Sequence, residues 1–375
     1  MKITKFDLAL SVISGVLFPT AFVIPFAGVL SWVLLIPFFL AIENKSPWNA
    51  FRLGVLTGTI ANAIGAYWLI GTLSRFGGFP HIVSFFFQLA ISIYSGLVFA
   101  IFAYITAKLG LFKKQRLLSA ILIASVWTSL EYLFPYLFPY GITNSQADYL
   151  PLIQIFDLFG MYSLSFLIIF VNVTLMRMLK TLSEHTPTPT LEILTSVTLL
   201  ILVIAYGYWK IEVETKKITE APKIKIGIVQ ANFDMSEKKQ KNEKTMSDRY
   251  RVMSHVFNSP DLIIWPETAI QTWISVLQDS LVKEGELVIP ETEKSYFLVG
   301  GLSYRINFNE SISAAEPDQN IDKFNTAFLT DSRGKILGRY NKVKLLLFGE
   351  YLPFTKYIPA LKNFSPASGD FTPGS

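Results

Sequence analysis

The sequence predicts a membrane-embedded α-helical bundle of about seven spans, followed by a water-facing α/β domain. The hydrophobic fraction is 51% and the charged fraction only 16%, which is too apolar for an ordinary soluble chain. The long apolar stretches all lie in the first part of the chain, whereas charge becomes dense and apolar runs shorten after Lys210. We therefore assign residues 1–210 to a helical bundle and residues 211–375 to a second domain.

Seven apolar stretches approach the roughly 20 residues that a helix needs to cross a ~30 Å hydrocarbon layer. They lie near residues 6–22, 25–42, 51–72, 82–107, 117–134, 155–178 and 191–209. A secretory signal peptide is the alternative interpretation of the first stretch. It is disfavoured because the second stretch follows at once, without a polar mature sequence or a small-residue cleavage site.

Lysine and arginine residues fall in alternate loops, which predicts the orientation of the bundle through the positive-inside rule. The cationic positions are Lys2, Lys5, Lys45, Arg52, Lys108, Lys113, Lys114, Arg116, Arg177 and Lys180. The opposite loops carry only one clear cation, Arg75. The N-terminus is therefore predicted in the cytoplasm, and seven crossings place everything after Trp209 outside it. In a bacterium this is the periplasmic face of the inner membrane.

Three features of the outer side are open to two interpretations each. The loops Ser74–Pro80 and Phe138–Gln146 are rich in Gly, Pro, Asn and aromatic residues. They form either turns with interfacial aromatics or a surface for lipid or substrate. Glu131 lies in an apolar run near the end of a span, where it is either a functional carboxylate or an interfacial one.

The second domain alternates strand-like and helix-like patterns, which indicates a layered α/β fold. We predict one helix within Glu237–Val256 and a surface loop at Asn307–Lys323. The predicted strands are Ile224–Ala231, Leu262–Trp265, Tyr296–Ser303, Phe324–Thr330 and Lys335–Tyr340.

Several kinds of chemistry lack their motifs in this sequence. It contains no glycine-rich phosphate loop, no HExxH, no paired-histidine metal spacing and no G-x-S-x-G elbow, so we expect neither a cofactor nor a metal. These 375 residues contain no cysteine, which rules out disulfides and thiol catalysis within them. The net charge is +5, but no basic patch interleaves with aromatic residues, so nucleic acid is not an expected partner.

Two short runs in the second domain suggest catalysis. The run Asp261–Ala269 ends a buried strand at Glu267, where desolvation could raise the pKa of a carboxyl group and make it a general base. The run Gly338–Leu345 contains Lys342 at the exit of a strand, where an ammonium could stabilise an oxyanion. Taken singly, Glu267 could instead cap a loop, and Lys342 could be a solvated surface residue.

These segments resemble the nitrilase (carbon–nitrogen hydrolase) superfamily, and the whole chain resembles the apolipoprotein N-acyltransferases. The resemblance rests on Ile226–Asn232, Trp265-Pro266-Glu267, Phe324–Ala327, Tyr340-Asn341-Lys342 and Phe348-Gly349-Glu350. In the bundle it rests on Gly77–Pro80, on the stretch from Trp127 and Glu131 to Asn144–Gln146, and on Gly160. The resemblance implies that the second domain is an αββα nitrilase-like sandwich on the periplasmic face.

The resemblance also implies a phospholipid-dependent acyltransferase of lipoprotein maturation. A cysteine thiolate would take an acyl chain from a phospholipid and pass it, by a ping-pong thioester mechanism, to the α-amine of a diacylglyceryl-cysteine apolipoprotein. Matched position by position, Glu267 is the general base, Lys342 stabilises the tetrahedral intermediates and Glu350 supports the site.

The sequence departs from the family at its end, because the family carries its nucleophilic cysteine on a strand beyond the last residue, Ser375. We therefore expect the nitrilase-like domain to be incomplete at its C-terminus, the sequence to be truncated and the chain to be inactive as it stands. The alternatives are a catalytically dead paralogue that binds lipid or lipoprotein, and a membrane-tethered amidase. Met235–Gln240 lacks the tryptophan of a lipid-contacting arm, and Leu347 stands where the family tends to carry proline.

Overall fold

A computed structural model shows two compact units, Met1–Ala221 and Pro222–Ser375. It describes residues 2–77, 79–114, 116–184, 186–233, 243–283, 286–290, 292, 294–307, 321–346, 350–351 and 370–375. The units divide after the boundary expected at residue 210, because the last helix of the first unit continues to Glu220.

The first unit is helical throughout. Its α-helices are α1 (Lys5–Val23), α2 (Ile36–Ile42), α3 (Pro47–Gly65), α4 (Trp68–Gly77), α5 (His81–Lys108), α6 (Leu117–Leu133), α7 (Leu150–Ile153), α8 (Phe156–Phe159), α9 (Tyr162–Glu184) and α10 (Thr190–Glu220). Two 3₁₀ helices, Ala27–Trp32 and Ile142–Gln146, lie between them. Helix α1 begins at a capping box, in which the Thr4 hydroxyl accepts from the Asp7 amide and the Asp7 carboxylate accepts from the Thr4 amide.

Four helices of the described residues, α1, α5, α9 and α10, are long and apolar enough to cross a membrane. Helices α3 and α4 would provide a fifth span if they are counted together, although they are bent by 59°. The predicted spans at 25–42 and 117–134 correspond to shorter apolar segments, Ala27–Ile42 and Leu117–Leu133. These helices fit a membrane protein. The number of seven spans remains a prediction.

Buried ion pairs join the loops that carry the cations of the first unit. Lys45 pairs with Asp7 at 2.5 Å, Arg177 pairs with Glu192 at 2.8 Å, and Lys180 pairs with Glu43. The Arg177 guanidinium also donates to the backbone carbonyls of Lys114 and Arg116. These contacts bring the N-terminal segment and the loops after α2, α5 and α9 together at one end of the unit. The predicted topology requires this, because it places the cationic loops on one side of the membrane.

The second half of the loop predicted at Phe138–Gln146 is packed into the first unit. Ile142, Thr143, Ser145 and Gln146 are buried, whereas Phe138 and Pro139 are exposed. Glu131 is also buried, and its Oε1 accepts from the Trp127 indole and from the Ile142 amide, each at 2.8 Å. This arrangement favours a packing role for Glu131 and Ile142–Gln146. The other predicted loop, Ser74–Pro80, is helical as far as Gly77.

The second unit contains one mixed sheet with a helix against it. Its elements are β1 (Ile226–Ile228), α11 (Glu243–Ser254), β2 (Leu262–Ile264), β3 (Ile270–Ser275), β4 (Val282–Lys283), β5 (Glu286–Leu287), β6 (Tyr296–Ile306), β7 (Ile321–Thr330) and β8 (Ile336–Asn341). The sheet order is β1-β2-β6-β7-β8, with β3 also paired to β6, while β4 and β5 form a separate hairpin. Strands β1, β2, β3 and β6 are parallel, and β6, β7 and β8 are antiparallel.

The two faces of this sheet differ in burial. Ile263, Phe297 and Phe328 lie in the core of the unit with Tyr250 of α11. Their neighbours along the strands, such as Tyr296 and Leu329, are exposed on the other face. The alternation follows from the two-residue period of a strand.

The link between β2 and β3 projects from one edge of β6. Strand β2 pairs with β6 at residues 296–298 and β3 pairs with it from Gly301 onward, so the chain between them crosses at Gly300. A Cβ atom at Gly300 would lie 2.5 Å from the Pro266 carbonyl oxygen and 2.6 Å from the Glu267 Cα. Only glycine lets the two backbones approach so closely. Thr268 adopts a φ of 51°, which turns the chain back into β3.

The sequence predicted five strands of the sheet at nearly the observed positions, but it missed β3. Apolar and polar residues do not alternate along Ile270–Ser275, and the pairing of β3 with β6 shifts register between Ile270 and Trp273, so the two-residue period of a strand is absent. The predicted loop Asn307–Lys323 is wrong at its end, because Ile321–Lys323 pair with β6. The predicted helix is confirmed over Glu243–Ser254, and its first part lies, with the segment Met235–Gln240, outside the described residues.

We predict that Gly300→Ala displaces the Pro266–Thr268 link, because the new methyl group meets backbone atoms that cannot rotate away. We expect a destabilisation of about 1–3 kcal/mol and faster hydrogen exchange in the peptide that covers residues 262–270. Gly338→Ala is the matched control, since a Cβ there meets nothing within 4 Å. Equal exchange in the two variants would contradict the prediction.

Candidate active site

The three residues singled out from the sequence meet in the second unit. Glu267 lies in the link between β2 and β3, Lys342 directly follows β8, and Glu350 lies beyond the turn that starts at Leu346. The Lys342 Nζ is 3.0 Å from Glu267 Oε1 and 2.9 Å from Glu350 Oε2. One ammonium therefore bridges two carboxylates.

Asn325 on β7 completes the cluster. The sequence analysis assigns this residue no role beyond its place in the Phe324–Ala327 motif. Its Nδ2 donates to Glu267 Oε1 at 2.5 Å and to Glu350 Oε1 at 2.7 Å. The asparagine is buried, so its amide contacts the two carboxylates from the interior of the unit. Its partners are 58 and 25 positions away in the sequence, so no local spacing could have indicated this role.

Backbone pairing fixes Lys342 beside Asn325. The Lys342 amide donates to the Asn325 carbonyl at 2.8 Å, which continues the pairing of β7 with β8. A hydrogen-bonded chain of Ser303, Thr326 and Asn341 runs across the three adjacent strands, with distances of 2.6 and 2.8 Å. Buried and satisfied polar chains of this kind hold a sheet in one register.

Hydrogen bonds to Leu346 and Phe371 hold Glu350 in position. Its amide donates to the Leu346 carbonyl at 2.8 Å, and its Oε2 accepts from the Leu346 amide at 2.7 Å. The Glu350 carbonyl accepts from the Phe371 amide at 3.1 Å. Both carboxylate oxygens are thus occupied, by Lys342 and Leu346 on one side and by Asn325 on the other.

The charges of the cluster stabilise one another. Burial favours neutral Lys342, but the hydrogen bonds to Glu350 and Glu267 outweigh it and raise the pKa of the ammonium above its ordinary value. Burial likewise opposes ionisation of Glu350. The hydrogen bonds from Lys342, the Leu346 amide and Asn325 nevertheless hold the pKa of that carboxyl below its ordinary value of 4.5. At neutral pH the lysine and Glu350 are therefore an ion pair.

Glu267 differs from Glu350 in its surroundings. Its side chain is 61% exposed, against 12% for Glu350, so the buried environment expected from the strand end is not what surrounds it. Glu267 Oε1 accepts from both Lys342 and Asn325. Among the described residues no donor reaches Oε2, which leaves that atom able to accept a proton.

A cavity of about 260 Å³ adjoins the cluster. Its walls are mostly apolar, and the polar atoms converge at Glu267, Asn325 and Lys342. The remaining lining residues are Ile264, Trp265, Leu298, Val299, Gly300, Thr326, Ala327 and Tyr340. A partly apolar cavity with a few convergent polar groups is the usual form of a ligand site. Among the described residues, no group of three or more acidic or histidine side chains could hold a metal ion.

Comparison with known proteins relates the whole chain to one family. Residues 14–174 match the family described as "Apolipoprotein N-acyltransferase N-terminal domain". A relative named apolipoprotein N-acyltransferase, from Geobacter metallireducens, is 30% identical over all of this chain and 70% of its own length. A Leptospira interrogans relative named apolipoprotein N-acyltransferase 1 is 24% identical over 93% of this chain and 61% of its own length.

A third relative, the apolipoprotein N-acyltransferase of Haemophilus ducreyi, is 26% identical over 78% of this chain and 54% of its own length. The chain thus spans roughly half to two thirds of the length of these relatives. The similarity extends through the helical unit and the unit that holds Glu267, Lys342 and Glu350. On this full-length similarity, the chain belongs to the apolipoprotein N-acyltransferase family.

Proposed function

We propose that this chain carries the acyl-transfer site of a phospholipid-dependent N-acyltransferase that acts on apolipoproteins. The observation that carries the proposal is the bridged cluster, in which Lys342 lies between Glu267 and Glu350 at the edge of a cavity. Acyl transfer needs a base, a cation for the developing oxyanion and an activated nucleophile. The cluster supplies the first two.

In this proposal Glu267 is the general base and Oε2 is the atom that takes the proton. Its other oxygen is occupied by Lys342 and Asn325, so the carboxylate is held in one orientation while Oε2 faces solvent. The proton would come from the attacking thiol in the first half of the reaction and from the α-amine of the acceptor in the second.

Lys342 stabilises the tetrahedral intermediate. Its raised pKa keeps it charged at neutral pH, and a fixed ammonium beside a partly apolar cavity is a stronger partner for an oxyanion than water is. Asn325 and Glu350 act through the others as positioning residues. Asn325 gives both carboxylates a neutral donor, and Glu350 holds Lys342 in place.

The thioester step requires a cysteine thiolate, and residues 1–375 contain none. We therefore propose that these residues provide the base, the cation and the membrane unit, and that they do not form an acyl-enzyme by themselves. The thiol proton would pass to Glu267, the thiolate sulfur would bond to the ester carbonyl carbon, and the acyl C–O bond would break as Glu267 returns the proton to the departing lysophospholipid oxygen. In the second half the amine nitrogen would bond to the thioester carbon, the C–S bond would break, and the amine proton would pass through Glu267 to the released thiolate.

The same proposal assigns location and fold. The cationic loops lie together at one end of the helical unit, which supports a cytoplasmic position for that end and for the N-terminus. We propose accordingly a seven-span unit in the bacterial inner membrane and a periplasmic second unit. The exposed apolar face of the β1-β2-β6-β7-β8 sheet supports a nitrilase-like αββα sandwich, in which a second sheet covers that face.

The proposal predicts selective binding of a lipidated acceptor without acyl transfer. A photoreactive diacylglyceryl-cysteinyl peptide should cross-link to the purified chain at residues that line the cavity, and the same peptide without its lipid should not. A fluorescent phospholipid should leave no hydroxylamine-sensitive label on the protein.

Equal cross-linking by the lipid-free peptide would contradict the substrate class, and a labelled thioester would contradict the proposed mechanism. Hydrolysis of a small amide, without binding of the lipopeptide, would instead favour a membrane-tethered amidase.

Glu350→Gln is predicted to lower stability in a pH-dependent way. The folded-state pKa of Glu350 is depressed, so its contribution is present above about 4.5 and is lost as the pH falls through the folded value. Lys342 is 34% exposed, and solvent screening limits the pair to about 1 kcal/mol. This corresponds to about 2–4 °C in Tm for a domain of 150–250 residues.

Thermal unfolding of the wild type and the variant between pH 3 and 8 measures this contribution. The two curves should converge at the acidic end. Glu220→Gln, at an exposed position on α10, is the control and should leave Tm unchanged at every pH. A Glu350→Gln deficit that persists unchanged at pH 3 would refute the ion-pair account.

A further inference from the structure

A patch of aromatic and cationic side chains lies where the start of α3 meets the end of α5. We call it the basic aromatic patch, and it consists of Trp48, Arg52, Tyr104 and Lys108. The rings of Trp48 and Tyr104 pack edge to face with centroids 5.3 Å apart, and the Lys108 Nζ lies 5.8 Å from the Tyr104 centroid. The Trp48 ring also contacts Phe51, with centroids 5.6 Å apart, and it is nevertheless 65% exposed.

Close helix packing fixes this patch. Gly58 and Gly96 bring α3 and α5 together, because a Cβ on Gly58 would lie 2.4 Å from the Gly96 carbonyl oxygen. The helices run antiparallel, so Trp48 comes opposite Tyr104. Arg52 follows Trp48 by four residues and therefore lies on the same helix face, one turn further into the unit.

The two cations of the patch have no acidic partner among the described residues. Arg52 is exposed and makes only a 3.5 Å contact with the Asn49 side-chain oxygen. Lys108 is exposed and contacts the Tyr104 ring. Arg52 lies one helical turn further into the membrane unit than Trp48, and a cation at that depth without an anionic partner costs free energy.

Three other cations at this end of the unit are paired by the fold. Lys45, Lys180 and Arg177 are paired with Asp7, Glu43 and Glu192, and those three acids are themselves buried. A further acid, Glu184, is exposed and also pairs with Lys180. These acids are therefore occupied by other cations, and no ion pair compensates the charge of Arg52 or Lys108 among the described residues.

We infer that the basic aromatic patch binds the headgroup phosphate of an anionic phospholipid in the leaflet at this end of the unit. Arg52 and Lys108 bind the phosphate, the aliphatic parts of their side chains extend along the acyl region, and the Trp48 and Tyr104 rings lie at the level of the headgroups.

Lipid binding to the full 375-residue chain in detergent tests this inference. Native mass spectrometry should show one phosphatidylglycerol bound more tightly than phosphatidylcholine. Arg52→Ala with Lys108→Ala should weaken that binding about fivefold for each charge removed. Lys113→Ala with Lys114→Ala removes the same charge from the same end and should leave it unchanged.

The ring contribution is tested separately. Trp48→Ala should weaken phosphatidylglycerol binding, and Trp48→Phe should retain most of it. Because these side chains are exposed, the variants should fold. Arg52→Gln with Lys108→Gln provides a second pair if the alanine pair does not.

Three outcomes would overturn the inference. Equal losses in the two double variants would show a diffuse positive surface instead of a site. Equal binding of phosphatidylcholine and phosphatidylglycerol would show no selection for anionic lipid. Displacement of phosphatidylglycerol by millimolar inorganic phosphate would show a plain anion site without a role for the lipid.

Discussion

One ammonium group between two carboxylates is the constraint on which the candidate active site depends. Two glutamates this close would repel each other without a partner, and Lys342 and Asn325 together provide the donors that hold them. The division of labour between the carboxylates follows from this. Glu350 has both oxygens occupied and is shielded, whereas Glu267 has one oxygen occupied and one open to solvent. Within the cluster, Glu350 therefore has a depressed pKa and no free carboxylate oxygen, whereas Glu267 keeps one oxygen that no donor reaches among the described residues.

The strand order and register of the sheet bring these groups together. Glu267 reaches the cluster because β2 and β3 share one edge of β6 and the link between them projects at Gly300. Asn325 and Lys342 reach it through the pairing of β7 with β8, and the Ser303–Thr326–Asn341 chain fixes that register. Asn325 and Lys342 are thus placed by backbone hydrogen bonds of the sheet, whereas Glu267 lies in the turn between β2 and β3 and Glu350 is held by hydrogen bonds to Leu346.

The sequence could predict what depends on local pattern and motif, and it failed where distant segments decide the outcome. Glu267, Lys342 and Glu350 were found because each follows a recognisable run. Asn325 was not assigned a role, since its partners come from two other parts of the chain. The exposure of Glu267 was missed for the same reason: a strand end was expected to bury it, but the link projects away from the sheet. In the helical unit, hydropathy located the apolar stretches but not the break within Ala27–Ile42 or the 59° bend after Gly65. Beside the first of these, the buried Ser31 hydroxyl donates to the Ser145 hydroxyl, 114 positions away in the sequence.

The titration of Lys342 in the full chain measures the coupling within the cluster most directly. Competitive trace labelling of amines across pH, read by peptide mass spectrometry, reports each lysine separately and requires no catalytic turnover. Lys342 should titrate above 10.5 in the wild type. In the Glu267→Gln, Glu350→Gln double variant its pKa should fall, because burial then acts without the opposing carboxylates. Lys335, which directly precedes β8, should label alike in both proteins. A Lys342 titration that is the same in both would show that the two carboxylates and the lysine do not act as one site.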